Sequence, residues 1–397
     1  MGNSIAATEP HHDDAGLNTA SHTGFYGPAA WIEGRALKQI EDVAALKGMA
    51  RIASFPDLHP GRYGPVGMAA LSDRLHPLLV GNDIGCGMSL FELDMPVRKL
   101  RLDKVADRFR DLEGQWDGSA AARLDQAGID PSTAPHSLGT IGGGNHFCEL
   151  QAIEEIFAEG MSDKTSTYVL VHSGSRSYGE AVLSSVPDGS GLDLDPLSEE
   201  GVRYLSAHDT AVRWAALNRA IIAERAAGAI RCDVRLVCDV PHNLVRQTPE
   251  GWVHYKGAAA PDAGGLAPVA GSRDSLSHIV RALSGVAASL GGISHGAGRK
   301  YDRASMHHRG GTSRSERNAM ERNKWGGRVV CEDRDLLLEE AAGAYKDAGR
   351  VVDDLADHGL VSRVATMRPL VTFKRARNED EDRGRRELRD RRKRTWA

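Results

Sequence analysis

Apolar positions recur at helical spacing between residues 201 and 227, through Leu205, Val212, Leu217, Ile221 and Ile222, and predict a long helix there. Residues 335–358 repeat that spacing, with Ala-rich and charged turns, and predict a second helical stretch. Two short runs, YVLVH (168–172) and VRLVC (234–238), have the β-branched, apolar character of strands. Helical and strand patterns are interspersed without a regular βαβ rhythm. The fold class expected is therefore α+β: one large mixed-sheet core with interspersed helices and several glycine-rich loops, rather than a doubly wound sheet. Residues 305–330 are polar and rich in Gly and Arg, which reads as an exposed loop or lid. No run of about 18 apolar residues occurs, so no membrane-spanning helix is expected.

Charge divides the chain into unequal parts. Fifty Lys and Arg against 54 Asp and Glu give −4 over 397 residues, which by itself offers nucleic acid no attraction. From Lys374 onward, however, 11 basic residues face 6 acidic ones, leaving −9 for residues 1–373. That sets out three regions: a polar, loosely ordered segment over 1–25, a core over 26–374, and a basic charged tail over 375–397. The tail has one Leu and one Trp and cannot form a core; it reads as a solvated segment, an RNA-contacting arm or a partner-docking helix. Five cysteines (Cys86, Cys148, Cys232, Cys238 and Cys331) are an odd number without a CxxC pair, which argues against a disulfide framework. With no basic region and apolar core at the N-terminus, a cytoplasmic protein is expected.

Glycine stands out at 44 residues. Four glycine-rich stretches hold the side chains most capable of chemistry: GNDIGCGM (81–88), GTIGGGNHF (139–147), HSGSRSYG (172–179) and GGISHGAGRK (291–300). Glycine lets backbone approach a ligand and frees amides for phosphate oxygens. Neither GxxxxGK[S/T] nor a strand-linked GxGxxG is present, so no standard phosphate loop is indicated. Asp83, Cys86, His146, His172 and His242 make a mixed hard and soft ligand set, in which a thiolate can bridge two ions. The CxxC and HxxxH spacings of structural zinc are absent. Taken singly, each His or Cys is equally a satisfied structural residue. His295 has a nucleophile's setting, between small residues and followed by Arg299 and Lys300, or is simply a histidine in a capping turn.

Order and length of motif add what spacing leaves open. NDIGCGM (82–88), GGGNHF (142–147), VHSGSR (171–176), HN (242–243), KGA (256–258), HGAGR (295–299) and AYKD (344–347) occur in the order of RtcB-type RNA-splicing ligases, which the chain resembles from about Pro56 to Lys374. GNDIGCGMSLFELD and GTIGGGNHF resemble the bacterial subgroup associated with release factor H. The resemblance implies a GTP- and manganese-dependent ligase joining RNA 2′,3′-cyclic phosphate or 3′-phosphate ends to 5′-hydroxyl ends, in RNA repair or tRNA splicing, through a guanylyl-histidine. By position, His295 is that histidine. Asp83, Cys86 and His146 match ligands of one manganese, and Cys86, His172 and His242 those of a second. GTP is implied against Asn145, His146, Phe147, Glu149, His242, Asn243, Ala270, Gly271, Ser272, Arg273, Ser277, His295, Gly296, Ala297, Gly298 and Lys374. Arg176 and Arg299 are implied as RNA phosphate contacts. The partners that the resemblance implies are RNA with broken 3′-phosphate and 5′-hydroxyl ends, from tRNA or rRNA, with a release-factor-H-type protein as a possible one.

Two departures keep other classes open. VAGSRDSLS (269–277) replaces the usual PG[S/T]MG run, and 23 residues follow Lys374 where family chains usually stop. A non-ligating RNA- or ribosome-binding factor, or a metal-dependent cyclic phosphodiesterase, would use the same fold with an altered pocket. The role of His59 in PDLHP (56–60) is left open.

Overall fold

A computed structural model describes residues 20–186, 193–309 and 313–376. The N-terminal segment up to residue 19 and the basic tail from residue 377 lie outside these residues. In chain order the strands are β1 (Ser21–Gly24), β2 (Met49–His59), β3 (Val66–Ser72), β4 (Gly87–Pro96), β5 (Phe147–Ile156), β6 (Ser166–Ser173), β7 (Val234–Pro241) and β8 (Asn243–Thr248). They continue as β9 (Gly251–Lys256), β10 (Ala258–Ala259), β11 (Leu266–Val269), β12 (Ser277–Ala282), β13 (Ile293–Ser294), β14 (Arg328–Cys331) and β15 (Val361–Arg375). They form an eight-stranded sheet in the order β11-β12-β15-β5-β6-β4-β7, with β14 against β15, a five-stranded sheet β1-β2-β3-β9-β8, and the small pair β10-β13. The expected α+β fold with large mixed sheets is the fold observed.

One buried cluster joins the two large sheets: Phe55 of β2 and Tyr255 of β9 share it with Val269 of β11, Val280 of β12 and Val351 of the helix Ala348–Asp357. On the far face of the eight-stranded sheet, Phe91, Leu150 and Val171 pack under Ile222, Ala226 and Ile230 of the long helix Glu199–Ile230. That helix begins at Ser198, whose hydroxyl accepts from Gly201 N, with Glu199 and Glu200 in its first turn, where the helix dipole favours negative charge. It ends at Arg231 in the left-handed conformation, φ 60°.

Three expectations change. Residues 21–24 of the polar N-terminal region are strand β1, paired parallel with Arg51–Ser54 of β2. The helical stretch over 335–358 is broken into Arg334–Glu339, a single turn Ala342–Ala344, and Ala348–Asp357. Asp347 starts the last helix afresh by accepting from Gly349 N and Arg350 N, so the apolar period resumes after an interruption of helical hydrogen bonding. The interruption places Glu340, Tyr345 and Lys346 against the site. Residues 305–330, expected as a loop, carry short helices Arg303–Met306 and Arg314–Ala319 and reach β14.

Candidate active site

The sheet order explains how residues far apart in the chain meet. Neighbouring strands β5, β6, β4 and β7 run antiparallel, so the beginning of one lies beside the end of the next. His146 stands just before β5, His172 near the end of β6, Cys86 just before β4 and His242 just after β7. One edge of the sheet thus gathers all four. The Cys86 Sγ lies 3.3 Å from His146 Nε2 and 3.3 Å from His172 Nε2, and His172 Nε2 is 3.3 Å from His242 Nε2. Asp83 completes the group, its Oδ2 2.9 Å from His146 Nε2.

Convergence of this kind is a metal-holding arrangement: five donor groups meet, and Cys86, His146 and His172 offer ligand atoms mutually within 4.8 Å. Burial, reinforced by the neighbouring imidazoles, pushes His172 and His242 well below the ordinary histidine range, so both are neutral and able to donate lone pairs. Burial also lifts the Cys86 thiol, with Asp83 adding to the rise, so the thiolate needs a positive centre to form. Burial alone would raise Asp83, but the His146 imidazole outweighs it and holds the carboxylate well below its usual range. Both His146 Nδ1 and His242 Nδ1 are buried without a partner. The donor chemistry fits a metal site, and Cys86, His146 and His172 form a buried group that could hold an ion.

The backbone behind the cluster is held by Arg219 of the long helix, whose side chain is fully buried. It donates to Gly85 O (2.7 Å), next to Cys86, to Ser173 O (2.9 Å), next to His172, and to both Asp239 oxygens (2.7 and 3.0 Å). A single fork of donors therefore fixes two ligand-bearing segments relative to each other. Gly174 lies against Asp83: a Cβ there would fall 2.0 Å from the Asp83 carboxylate.

His295 follows β13, and its ring centroid is 4.5 Å from that of His242. Its Nδ1 is 2.8 Å from Asp57 Oδ2, and its backbone N–H donates to the same oxygen at 3.2 Å. Asp57 is wholly buried at an irregularity in β2 and accepts from Ser294 Oγ through its other oxygen at 2.8 Å. The Lys346 ammonium donates to the Pro56 and Leu58 carbonyls (2.9 and 2.7 Å) on either side of Asp57, and burial pulls its pKa down to about 8. Gly298 has φ +71°, and a Cβ on it would come within 2.2 Å of Asp57 O, so the loop carrying His295 packs directly on the Asp57 backbone.

A cleft of about 640 Å³ opens over this centre, ample for a nucleotide. Asp83, Cys86, His172, His242 and His295 lie in its floor, and Asn145, Phe147, Glu149, Asn243, Gly296, Ala297, Gly298 and Lys374 line it as well. So do Ala270, Gly271, Ser272 and Arg273 from the divergent segment. Ser277 is placed differently: it is buried beneath that segment, 3.1 Å from both Gly271 N and Gln151 Nε2, and supports the loop from behind. Burial raises Glu149 to about 7, against hydrogen bonds from Thr372 and Gln151. The Lys374 ammonium lies 5.8 Å from the Phe147 ring centre and 3.4 Å from Glu340 Oε2. Burial would raise Glu340, but Lys374, Tyr345, Arg299 and Arg303 pull it down to about 2.

Arg299 and Arg176, expected at RNA phosphates, have different surroundings. The Arg299 guanidinium is engaged by Glu340 (3.0 Å), Glu339 O (2.8 Å) and Tyr301 O (3.0 Å), which makes it part of the wall. Arg176 starts the helix Arg176–Ser184 at φ 57° beside Gly142, with its Nε buried and unpartnered. His59 also lines the cleft, its Nδ1 2.8 Å from Asp57 O. The residues that the motif reading passed over are Asp57, Arg219, Glu340 and Lys346. Asp57 and Lys346 carried a signal, since they stand in PDLHP and AYKD, whereas Arg219 sits in the helical apolar pattern and reads there as an ordinary surface arginine.

Among the described residues, no helix is long and apolar enough to cross a membrane. The chain matches the family described as tRNA-splicing ligase RtcB over residues 39–132 and 112–375. It is 39% identical over 355 residues to RNA-splicing ligase RtcB2 of Escherichia coli, covering 87% of this chain and 93% of that protein. It is 26% identical over 440 residues to tRNA-splicing ligase RtcB of Thermococcus kodakarensis, covering 85% and 90%. A site of this chemistry, set in a chain alike over nearly its full length, gives a single answer: the chain belongs to the RtcB family of RNA ligases, enzymes that join 3′-phosphate or 2′,3′-cyclic phosphate RNA ends to 5′-hydroxyl ends.

Proposed function

We propose that this ligase uses GTP and two manganese ions and acts through a guanylyl group carried on His295. The observation that carries the reading is the 2.8 Å contact of His295 Nδ1 with buried Asp57. A proton held on Nδ1 by the Asp57 carboxylate leaves the Nε2 lone pair as the nucleophile toward the α-phosphorus of GTP. As the P–N bond forms and pyrophosphate leaves, positive charge grows on the imidazole and Asp57 offsets it. Manganese, when bound, would supply charge neutralisation and in-line orientation of the triphosphate. The RNA 3′-phosphate then takes the guanylyl group from Nε2, and the 5′-hydroxyl displaces GMP to close the phosphodiester. Glu149 and Lys374 stand where a guanine would meet an acceptor for its ring N–H groups and a donor for its carbonyl. Asp83, Cys86 and His146 would hold one ion, and Cys86, His172 and His242 the other.

Incubation with α-labelled GTP and Mn²⁺, followed by denaturing electrophoresis, tests this. Label stays on the wild-type chain and is lost in His295→Ala, which still binds metal. No label on the wild-type chain across a metal series overturns the proposal, and cyclic-phosphate opening without GTP would identify a phosphodiesterase instead.

The GNDIGCGM and GTIGGGNHF motifs support membership of the release-factor-H-associated bacterial subgroup, with a protein of that type as partner and a cytoplasmic setting. Co-purification from cells expressing both proteins tests that pairing. Residues 26–374 form one ligase domain in this reading, and deletion of 375–397 reports whether the basic tail adds RNA affinity.

A further inference from the structure

An alternation of aromatic rings and cations runs along the mouth of the cleft. The Lys300 ammonium lies 4.9 Å from the Trp31 ring centre and 5.4 Å from that of Tyr301, and the Arg309 guanidinium lies 3.7 Å from Tyr301. The order is Trp31, Lys300, Tyr301, Arg309. Nearby on the lining, Arg62 lies 5.0 Å from the Tyr63 ring centre. Lys300 is five residues beyond His295, so this series is tied by a short stretch of chain to the reacting group.

Two properties set the mouth apart from a structural surface. Trp31 is 52% exposed and Tyr63 39%, high exposure for large aromatic rings. In addition, Arg62, Lys300 and Arg309, with Arg35 on the same cleft wall, pair with no carboxylate among the described residues. Arg303 differs, being tied to Glu339 and Glu340. Of the acids at the mouth, Glu33 and Asp302, the second caps the helix Arg303–Met306 by accepting from Ser305 N. In a chain of net charge −4, Arg35, Arg62 and Lys300 on the lining and Arg309 beside Tyr301 make a local positive field next to the exposed rings. Trp31 and Tyr63, each exposed and with a cation over one face, beside cations without a carboxylate partner suit an unpaired nucleic-acid strand: a base stacks on the remaining π-face, and phosphates meet the ammonium and guanidinium groups.

We propose that Trp31 and Tyr63, with Lys300, Arg309 and Arg62, hold the unpaired nucleotides of the RNA end presented to His295. The ligase would therefore prefer frayed or single-stranded ends to blunt duplex ends, because a base inside a duplex has no free face to stack. This rests on the RNA-ligase reading above and adds the strand-holding surface to it.

The test uses the full chain, a 3′-phosphorylated single-stranded oligoribonucleotide, and the same sequence annealed as a blunt duplex. Trp31→Ala combined with Tyr63→Ala lowers affinity for the single strand roughly tenfold or more, leaves duplex affinity unchanged, and leaves transfer of GMP from GTP to His295 at the wild-type level. Trp31→Phe with Tyr63→Phe restores binding. Replacing Arg62, Lys300 and Arg309 together by Gln reduces the slope of log affinity against log salt by about 2. Unchanged single-strand binding in the alanine pair, or an equal loss on both RNAs, overturns the proposal. Failure of the wild-type chain to take up GMP would instead overturn the ligase mechanism, so the two failures are separable.

Discussion

The carboxylate of Asp57 accepts at 2.8 Å from Nδ1 of His295 and at 3.2 Å from the backbone N–H of the same residue. Both contacts end on one oxygen, so Asp57 fixes the position of the imidazole and its tautomer together. Asp57→Asn keeps the size but places an amide where a proton acceptor is needed. We expect guanylylation of the chain to fall roughly 100- to 10,000-fold, by analogy with the aspartate of a serine-protease triad, with metal and nucleotide binding retained. Retention of more than a tenth of the wild-type rate in a single-turnover labelling assay would sink the role assigned to Asp57.

Gly174 separates the metal group from the fold that carries it. The atoms nearest a Cβ at this position are all of the Asp83 side chain, Oδ1 at 2.0 Å, and the backbone φ lies outside the left-handed region. Gly174→Ala should leave the melting temperature nearly unchanged while displacing Asp83 from His146, weakening Mn²⁺ affinity by about 10- to 100-fold. Calorimetric titration with Mn²⁺ reads this directly; equal affinity in the variant would show that Asp83 does not hold the metal.

Arg219 is fully buried and paired with Asp239 while donating to two ligand-bearing loops. Arg219→Leu strands the Asp239 charge and two carbonyls, for a loss of about 3–5 kcal/mol. Chemical denaturation should show that loss, and adding Asp239→Leu should recover part of it, because the uncompensated carboxylate is then gone. If the double variant is no more stable than the single one, the ion pair is not the source of the cost.

The raised pKa of Glu149 sets a sign for pH dependence. Its carboxyl titrates near 7 in the fold against an ordinary value of 4.5, so the folded state holds its proton more tightly. Stability from this group is complete below about pH 4.5 and is lost as pH climbs through 7, by on the order of 3 kcal/mol. Glu149→Gln should remove that decline, as followed by denaturation midpoints from pH 5 to 8. An unchanged slope in the variant would place the proton elsewhere.

The sequence by itself determined a good deal here. The long helix was legible because its buried face repeats every three to four residues, and β6 and β7 because their runs are β-branched and apolar. Cys86, His146, His172, His242 and His295 stood out because each lies in a glycine-rich or strand-end segment whose motif order is preserved. What the chain could not display was distance. The five residues proposed to hold metal span positions 83 to 242, and only the antiparallel order β5-β6-β4-β7 brings them to one edge.

The same limit hid the residues that work from behind. Arg219 looks like any polar position of a helix until the fold turns it toward Gly85 O and Ser173 O. Glu340 and Lys346 lie in an apparent helix that breaks at Ala342–Ala344, because Asp347 caps a new helix and frees the intervening segment to face the cleft. Local periodicity and motif spelling are short-range properties carried by the chain itself. Which carboxylate holds which imidazole depends on contacts across hundreds of residues, as between Asp57 and His295, and those exist only once the sheets have packed.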